Sequence, residues 1–296
     1  RRGARDGKPF FLWVNFWGPH DPYLLPEPFY SMFNGDEVTL SPSMAETWEK
    51  KPWVQRMMSE NYWGVEDMDE AIWREAVAKY AGYCALLDWE TGRILARLED
   101  LGLLEETIVV YTSDHGSMVG HHKLIDKGPY PYDDIQRIPL IVAGPNVEPG
   151  VCNEFVYLHD LTSTILEWAG AEPFPCSNAQ SLTPVLQGGH LAQPREEVYM
   201  TRHHHPYAYE QRWLRTERFK YCFNAFDVDE LYDLALDPDE MVNRIDDPEY
   251  TAIKAELIER MWGHIVELGD PIAQCFSVWC RRRRPLISGT GGVRRR

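Results

Sequence analysis

The sequence predicts an α/β fold with a mostly parallel central sheet flanked by helices, followed by a small antiparallel sheet with one closing helix. Three observations carry this expectation. Continuous apolar runs of strand length recur at residues 10–16, 107–112 and 139–144, and such runs, without alternation, mark strands buried on both faces. Long stretches of helical spacing stand between or after them, and strands separated by helices pair in parallel through crossovers. Beyond residue 196 the pattern shortens to four closely spaced strands and a single helix.

The elements follow in order. The run Phe10-Phe11-Leu12-Trp13-Val14-Asn15-Phe16 stops at Gly18-Pro19-His20-Asp21-Pro22, where the chain must leave a sheet. Residues 26–65, with several prolines and no sustained period, read as a long loop with short helices. From 75 to 101 the spacing becomes helical. Tyr80, Tyr83, Leu87, Ile94 and Leu98 form a stripe that Leu86 and Leu95 widen, Cys84 falls inside the pattern as a small core residue, and Gly102 is the stop. A second strand at 107–112, a third at 139–144 and a helix at 155–170 complete the main layer. Strands at 197–200, 212–216, 219–223 and 230–232 form the small sheet, and a helix over 251–268 closes it with Ile253, Leu257, Met261 and Ile265. The expected division is therefore a main domain over 1–195, an α+β subdomain over 196–270 and a basic, disordered tail over 271–296.

Composition narrows the function. With 44% hydrophobic residues and eleven tryptophans the chain can build a large core. No apolar run is long enough to span a membrane. The net charge of −16 argues against nucleic acid, whose phosphates call for a basic face. The last sixteen residues hold seven arginines and no acid; without interleaved aromatics they read as a solvated tail or a translation artefact. The chain opens on Arg1 within a polar stretch, so it is expected to lack its natural front. Six scattered cysteines form no zinc ribbon and name no compartment, cytoplasmic or exported.

In open α/β sheets ligands bind beyond the carboxyl ends of strands, and the turns at 18–22 and 114–116 both stand at such ends. In Thr112-Ser113-Asp114-His115-Gly116 an oxygen and a nitrogen ligand can enter one cleft, with the glycine allowing a sharp turn. Taken alone, the tripeptide reads sooner as an Asx turn with an exposed histidine. Around it, however, stand Gly120-His121-His122, Lys127-Gly128-Pro129-Tyr130, Asp133-Asp134 and Arg137-Ile138-Pro139-Leu140-Ile141-Val142. Upstream lies Phe11-Leu12-Trp13-Val14-Asn15-Phe16 with Gly18-Pro19-His20-Asp21-Pro22-Tyr23, and downstream Arg215-Thr216-Glu217-Arg218-Phe219-Lys220-Tyr221 and Glu230-Leu231-Tyr232-Asp233-Leu234. This ordered series, over roughly 8–265, resembles the sulfatase family of the alkaline phosphatase superfamily.

The resemblance implies an alkaline-phosphatase-like main domain truncated at its N-terminus, and it implies roles. Asp114 and His115 would be ligands of one divalent cation, calcium in most sulfatases, with manganese, zinc or iron left open by the softer imidazole. Lys127 would hold sulfate or phosphate oxygens as a compact positive charge. His20 would stand at the leaving-group oxygen, a task suited to a residue type that titrates near neutrality. His122 would reach the substrate, while His121 stands where the family more often has Asp. His203-His204-His205 would alternate faces of a strand, Asp160 reads as a helix cap, and Trp48, Trp53, Trp63 and Trp73 as core or as an aryl or sugar site.

Two family features are missing from the sequence: the Cys/Ser-x-Pro/Ala-x-Arg segment that carries the formylglycine nucleophile, and the Asp-Asp ligand pair after the first strand. The expected activity is hydrolysis of an aryl or carbohydrate sulfate ester, a small molecule or glycan, with the isolated chain inactive. A phosphodiesterase or phosphonate monoester hydrolase, or a non-catalytic remnant, are the alternatives.

Overall fold

The computed structural model describes residues 8–172, 174, 178–203 and 206–275. In chain order its α-helices and strands are α1 (Trp53–Met57), α2 (Glu70–Asp100), β1 (Val109–Thr112), α3 (Asp133–Gln136), β2 (Leu140–Ala143), α4 (Asp160–Trp168), α5 (Thr183–Leu186), β3 (Glu197–His203), β4 (Glu210–Thr216), β5 (Phe219–Asn224), β6 (Glu230–Asp233), α6 (Thr251–Glu267) and α7 (Ile272–Cys275). They fall into two compact units. One runs to Ser41 and includes Asp67–Thr107; the other comprises Pro42–Glu66 and the chain from Ile108 on.

In the first unit α2 buries Trp73, Ala78, Gly82 and Leu87. Gly82 lies against the chain at Phe29: a β-carbon there would stand 2.4 Å from the Phe29 carbonyl oxygen. The helix ends where the glycine signal placed it. Gly102 is left-handed (φ +66°), its N–H bonds Glu99 O at 2.8 Å, and Leu103 N–H reaches back to Leu98 O at 2.9 Å, the paired bonds of a Schellman stop. Two expectations fail here. Cys84 lies on the exposed side of α2, not in the core, because the buried face is set by Ala78 and Gly82, which admit a neighbouring chain. Residues 10–16 form no strand, and Phe11, Leu12 and Trp13 are 64–69% exposed. An apolar extended run becomes a strand only when another strand supplies its hydrogen bonds, and none does so among the described residues.

The second unit holds two sheets. β1 and β2 pair antiparallel, Val109 opposite Ala143 and Thr112 opposite Leu140, so the expectation of parallel pairing is corrected for this pair. Between them lies a looping segment whose longest described helix is the four-residue α3, and without a crossover helix the chain returns in the opposite direction. The small sheet is as expected, antiparallel in the order β3-β4-β5-β6. Its register, Tyr199–Leu214–Tyr221–Leu231, aligns one apolar row against Leu257, Met261 and Ile265 of α6. Side chains alternate along strands, so the adjacent rows, with Trp213, Arg215, Lys220 and Tyr232, turn to the other face. There Tyr232 packs with Met118, Leu124, Tyr130 and Tyr132. The sheet is thus a wall between α6 and the segment after Asp114-His115.

Asp160, read from the sequence as a cap, is fully buried. It accepts from Tyr157 N at 2.7 Å and Gln180 N at 2.8 Å, and pairs with Arg195 through two 2.8 Å bonds. No described helix is long and apolar enough to cross a membrane. The disordered tail expected over 271–296 is corrected at its start, where α7 places Ile272 in the core beside α6, and from residue 276 onward the arginine-rich tail lies outside the described residues.

Candidate metal and sulfate site

Asp114 and His115 follow directly on β1, and their backbone is held by the segment leading to β2: Gly116 N–H donates to Ile135 O at 2.8 Å, and Thr112 Oγ1 donates to Pro139 O at 2.9 Å. Gly116 is needed for space. A β-carbon at this position would lie 1.8 Å from the Asp134 carbonyl oxygen and 3.1 Å from Ile135 Cα. The sequence suggested turn flexibility; the structure shows close backbone approach instead.

The two side chains are mutually arranged. Asp114 Oδ1 accepts from His115 N at 2.9 Å, which leaves Oδ2 as the outward oxygen, 3.6 Å from His115 Nε2. His115 Nδ1 lies 2.8 Å from Gly116 O. A carbonyl only accepts, so Nδ1 carries the proton and Nε2 presents its lone pair. A carboxylate oxygen and an imidazole lone pair at this separation, with the tautomer fixed by a backbone carbonyl, fit two adjacent positions around a divalent cation.

Lys127 lies on the return limb of the next turn. Met118 N–H bonds Asp126 O at 2.9 Å and Gly120 N–H bonds Leu124 O at 2.8 Å, so residues 118–126 double back on themselves. The turn is unusual: Val119, His122, Lys123 and Asp126 all have φ between 41° and 52°, a left-handed conformation that costs non-glycine residues and persists only where surroundings impose it. Asp126 holds Lys127 Nζ at 3.0 and 3.3 Å.

The surroundings that impose this turn come from residues 42–66. Ser43 Oγ accepts from His122 N at 3.2 Å, Ser59 Oγ donates to Lys123 O at 2.8 Å, and Glu46 Oε2 binds His122 Nδ1 at 2.8 Å. His122, expected to reach substrate, is instead fully buried and stacked on Tyr132 at 3.8 Å. Burial holds its imidazole below the ordinary range despite Glu46, so it is the neutral Nδ1–H form that bridges to the carboxylate. His122 is correspondingly a structural clamp of the Lys127 turn, because the apolar Leu124 and Tyr130 beside it pull that turn inward. His121 pairs with Asp134 at 2.8 Å, and this hydrogen bond raises its pKa.

Behind the clamp lies a buried polar cluster. Lys51 Nζ is fully enclosed and reaches Glu46 at 3.6 Å, Tyr232 Oη at 2.8 Å and the Glu240 carbonyl at 2.6 Å. Lys220, equally buried, binds Asp133 and Glu240 at 2.6 Å each. Burial would raise the Asp133 carboxyl, but Lys220 and Arg215 hold it down to about 2. Asp270 is likewise desolvated, and Arg212 and Tyr199 hold it at about 2.

These two carboxyls define an acid limb of stability. Their unfolded value is 3.8, so as pH falls the unfolded chain takes up protons first, and the native state loses its advantage between about pH 4 and pH 2. Each group contributes about 2 kcal/mol above that window. Urea midpoints measured from pH 6 to pH 2.5 are expected to fall steeply below pH 4, and less steeply in Asp270→Asn; equal slopes would refute the assignment.

Of the remaining sequence candidates, His20 belongs to the first unit. There its Nδ1 donates to Asp21 O at 2.8 Å and its ring lies 5.3 Å from Trp17. His203 ends β3 and binds Glu210 at 2.7 Å, while His204 and His205 lie outside the described residues. Trp73 is core; Trp48 and Trp63 pack beside His122 and Tyr132, and Trp53 is half exposed against Tyr207. Glu46 and Lys51 carried no sequence signal, since apart from each other and the backbone beside Glu46 the partners named here are from 76 to 189 residues away.

The fold is that of an alkaline-phosphatase-like hydrolase scaffold, and comparison with known proteins agrees. The sulfatase family profile matches residues 3–171, and that of the N-sulphoglucosamine sulphohydrolase C-terminal region matches residues 120–267. The chain belongs to the sulfatase family. It is 29% identical over 287 residues to the multifunctional alkaline phosphatase superfamily protein PehA of Trinickia caryophylli, covering 87% of this chain and 55% of that protein. With choline-sulfatase of Rhizobium meliloti it shares 30% identity over 260 residues, 84% of this chain and 49% of the relative. The phosphonate monoester hydrolase of Agrobacterium radiobacter superposes with a TM-score of 0.77 at 24% identity, over 90% of this chain and 59% of that one, which is a likeness of fold. The chain spans about half the length of the curated relatives it matches.

Proposed function

We propose that this chain supplies one half of the active site of a sulfuric ester hydrolase that releases sulfate from a carbohydrate or aryl sulfate ester. The observation that carries the reading is the Asp114 Oδ2–His115 Nε2 pair, 3.6 Å apart and set by Gly116, just ahead in the chain of the turn that leads to Lys127. Asp114 and His115 would hold a divalent cation, calcium first, whose charge would stabilise negative oxygens on the transferred group. Lys127, held by Asp126, provides a compact positive charge for those oxygens. His20, with Nδ1 committed to Asp21 O, acts through Nε2: only the imidazolium carries a proton there to give to a leaving oxygen. The sugar-sulfate preference is supported by the N-sulphoglucosamine sulphohydrolase region matched over 120–267. Without a nucleophile segment in its sequence, the chain alone is inactive.

A second reading, hydrolysis of a phosphodiester or phosphonate monoester, is favoured by His115, since imidazole suits manganese, zinc or iron better than calcium. Calorimetric titration of the chain with calcium and with manganese separates the readings. Saturable calcium binding that Asp114→Ala removes is the expected result; preference for manganese favours the second reading, and no binding of either cation overturns both. Purified chain is expected to leave an aryl sulfate unhydrolysed, and turnover that Lys127→Ala abolishes would disprove its inactivity.

A further inference from the structure

One buried carboxyl, Glu240, connects the small sheet to the backbone under Asp114-His115. It lies beyond β6, is 2% exposed, and has a left-handed backbone (φ +53°), a conformation that persists only where neighbours impose it. Its Oε1 accepts from Lys220 Nζ of β5 at 2.6 Å, and its Oε2 accepts from the N–H of Asp133, the first residue of α3, at 2.7 Å. Its carbonyl oxygen accepts from Lys51 Nζ at 2.6 Å. Both carboxyl oxygens are therefore engaged, and one of them holds the backbone of α3. Two residues further along, Ile135 O accepts from Gly116 N at 2.8 Å, and Asp134 O stands where a Gly116 β-carbon would go. Gly116 O in turn orients His115 Nδ1 at 2.8 Å. After its first bond, the path from Glu240 to the turn runs entirely through backbone.

The energetics of Glu240 differ from those of Asp133 and Asp270. Burial raises its carboxyl from 4.5 to about 7, with the Asp133 charge adding to the rise and Lys220 opposing it. Asp133 shares the same ammonium at 2.6 Å and is also bound by Arg215 of β4, so it stays at about 2. Two carboxyls on one ammonium are thus driven apart, a separation found where protonation has a use. The folded value of Glu240 lies above its unfolded one. Its contribution to stability is therefore full below pH 4.5 and is lost as pH rises through about 7. The anion costs the fold stability, so stability alone does not account for a carboxyl at this position. Among the other groups near it, Lys51 also faces Glu46, Glu230 of β6 and Asp237. Burial keeps the Tyr132 and Tyr232 phenols well above their ordinary range.

We propose that Glu240 is a positioning residue for the Asp114-His115 turn: its carboxylate seats the start of α3, and its protonation releases that segment and slackens the turn. A neutral carboxyl has one oxygen that accepts and one that donates, so it cannot serve both the Lys220 ammonium and the Asp133 N–H. The functional meaning rests on the proposed cation site; the control of Gly116 rests on the geometry alone.

Amide exchange at Gly116 tests this in the full chain without any cation. Corrected for the intrinsic pH dependence of exchange, protection in the parent is expected to fall about fivefold between pH 8 and pH 6. In Glu240→Gln, which cannot ionise, it should be low at both. Asp133→Asn keeps Glu240 and its backbone bond but removes the neighbouring charge, so the change should move to lower pH; it serves if Glu240→Gln does not fold. Calorimetric titration with calcium gives the functional reading. Glu240→Gln should bind about fivefold more weakly than the parent at pH 8 and equally at pH 6. Urea unfolding should run the other way, with the variant gaining on the parent as pH rises from 5 to 8. A residue that only props up the fold would lose binding and stability together, by the same factor at both pH values, and that result overturns the inference. So does Gly116 protection that is independent of pH in the parent or the same in parent and Glu240→Gln; calcium binding that persists then leaves the proposed hydrolase standing. Protection that follows Glu240 in a parent that binds neither calcium nor manganese supports the positioning role and overturns the cation site instead.

Discussion

Gly116→Ala is expected to remove cation binding and to lower stability by about 3 kcal/mol or more. The added β-carbon would stand 1.8 Å from Asp134 O and 2.9 Å from Asp134 C, and these are backbone atoms that cannot rotate away. To make room, the segment leading to β2 must withdraw. That breaks the Gly116 N–Ile135 O bond, and with it the support under His115, whose Nδ1 is oriented by the Gly116 carbonyl. The relative placement of Asp114 Oδ2 and His115 Nε2 then no longer suits one cation. Thermal melting together with a calcium titration reads both effects. A variant melting within a degree of the parent would show that the turn yields easily and that the close approach is not a constraint.

Lys51→Met carries the other large effect. Its ammonium is fully buried against Glu46, two phenols and a backbone carbonyl, and removing one partner of a buried ion pair costs about 3–5 kcal/mol because the other charge remains. Methionine fills the space without replacing the charge. The remaining counter-charge for Glu46 is His122, whose pKa is lowered by burial and further by Lys51 itself. Deleting Lys51 therefore raises the His122 pKa, and protonation lets His122 take over the pairing as pH falls. The deficit of Lys51→Met, measured by urea unfolding, should be larger at pH 8 than at pH 6. A deficit that does not change with pH would mean that His122 and Lys51 do not share Glu46. One below about 1 kcal/mol would mean the cluster is solvated.

Both predictions bear on a division visible throughout the molecule. Local pattern was enough for the small sheet, for α6 with Leu257, Met261 and Ile265, and for the Gly102 stop, because period, turn chemistry and capping act within a few residues. It failed for the pairing of β1 with β2, which depends on what the connecting segment does rather than on the strands, and for residues 10–16, whose apolar character is present but whose hydrogen-bond partners are not among the described strands.

The same line separates the site's residues. The sequence by itself determined the sulfatase family, and it nominated Asp114, His115 and Lys127 for the proposed site, since each belongs to a contiguous motif. Only the tertiary structure decided that His122 is a buried clamp rather than a substrate contact, and that Glu46 and Lys51 stand behind it. The physical reason is distance along the chain. Burial, and the cost of leaving a charge or a donor unpaired, are properties of what packs around a side chain. Here those neighbours come from segments tens to nearly two hundred residues away, whose approach no local pattern encodes.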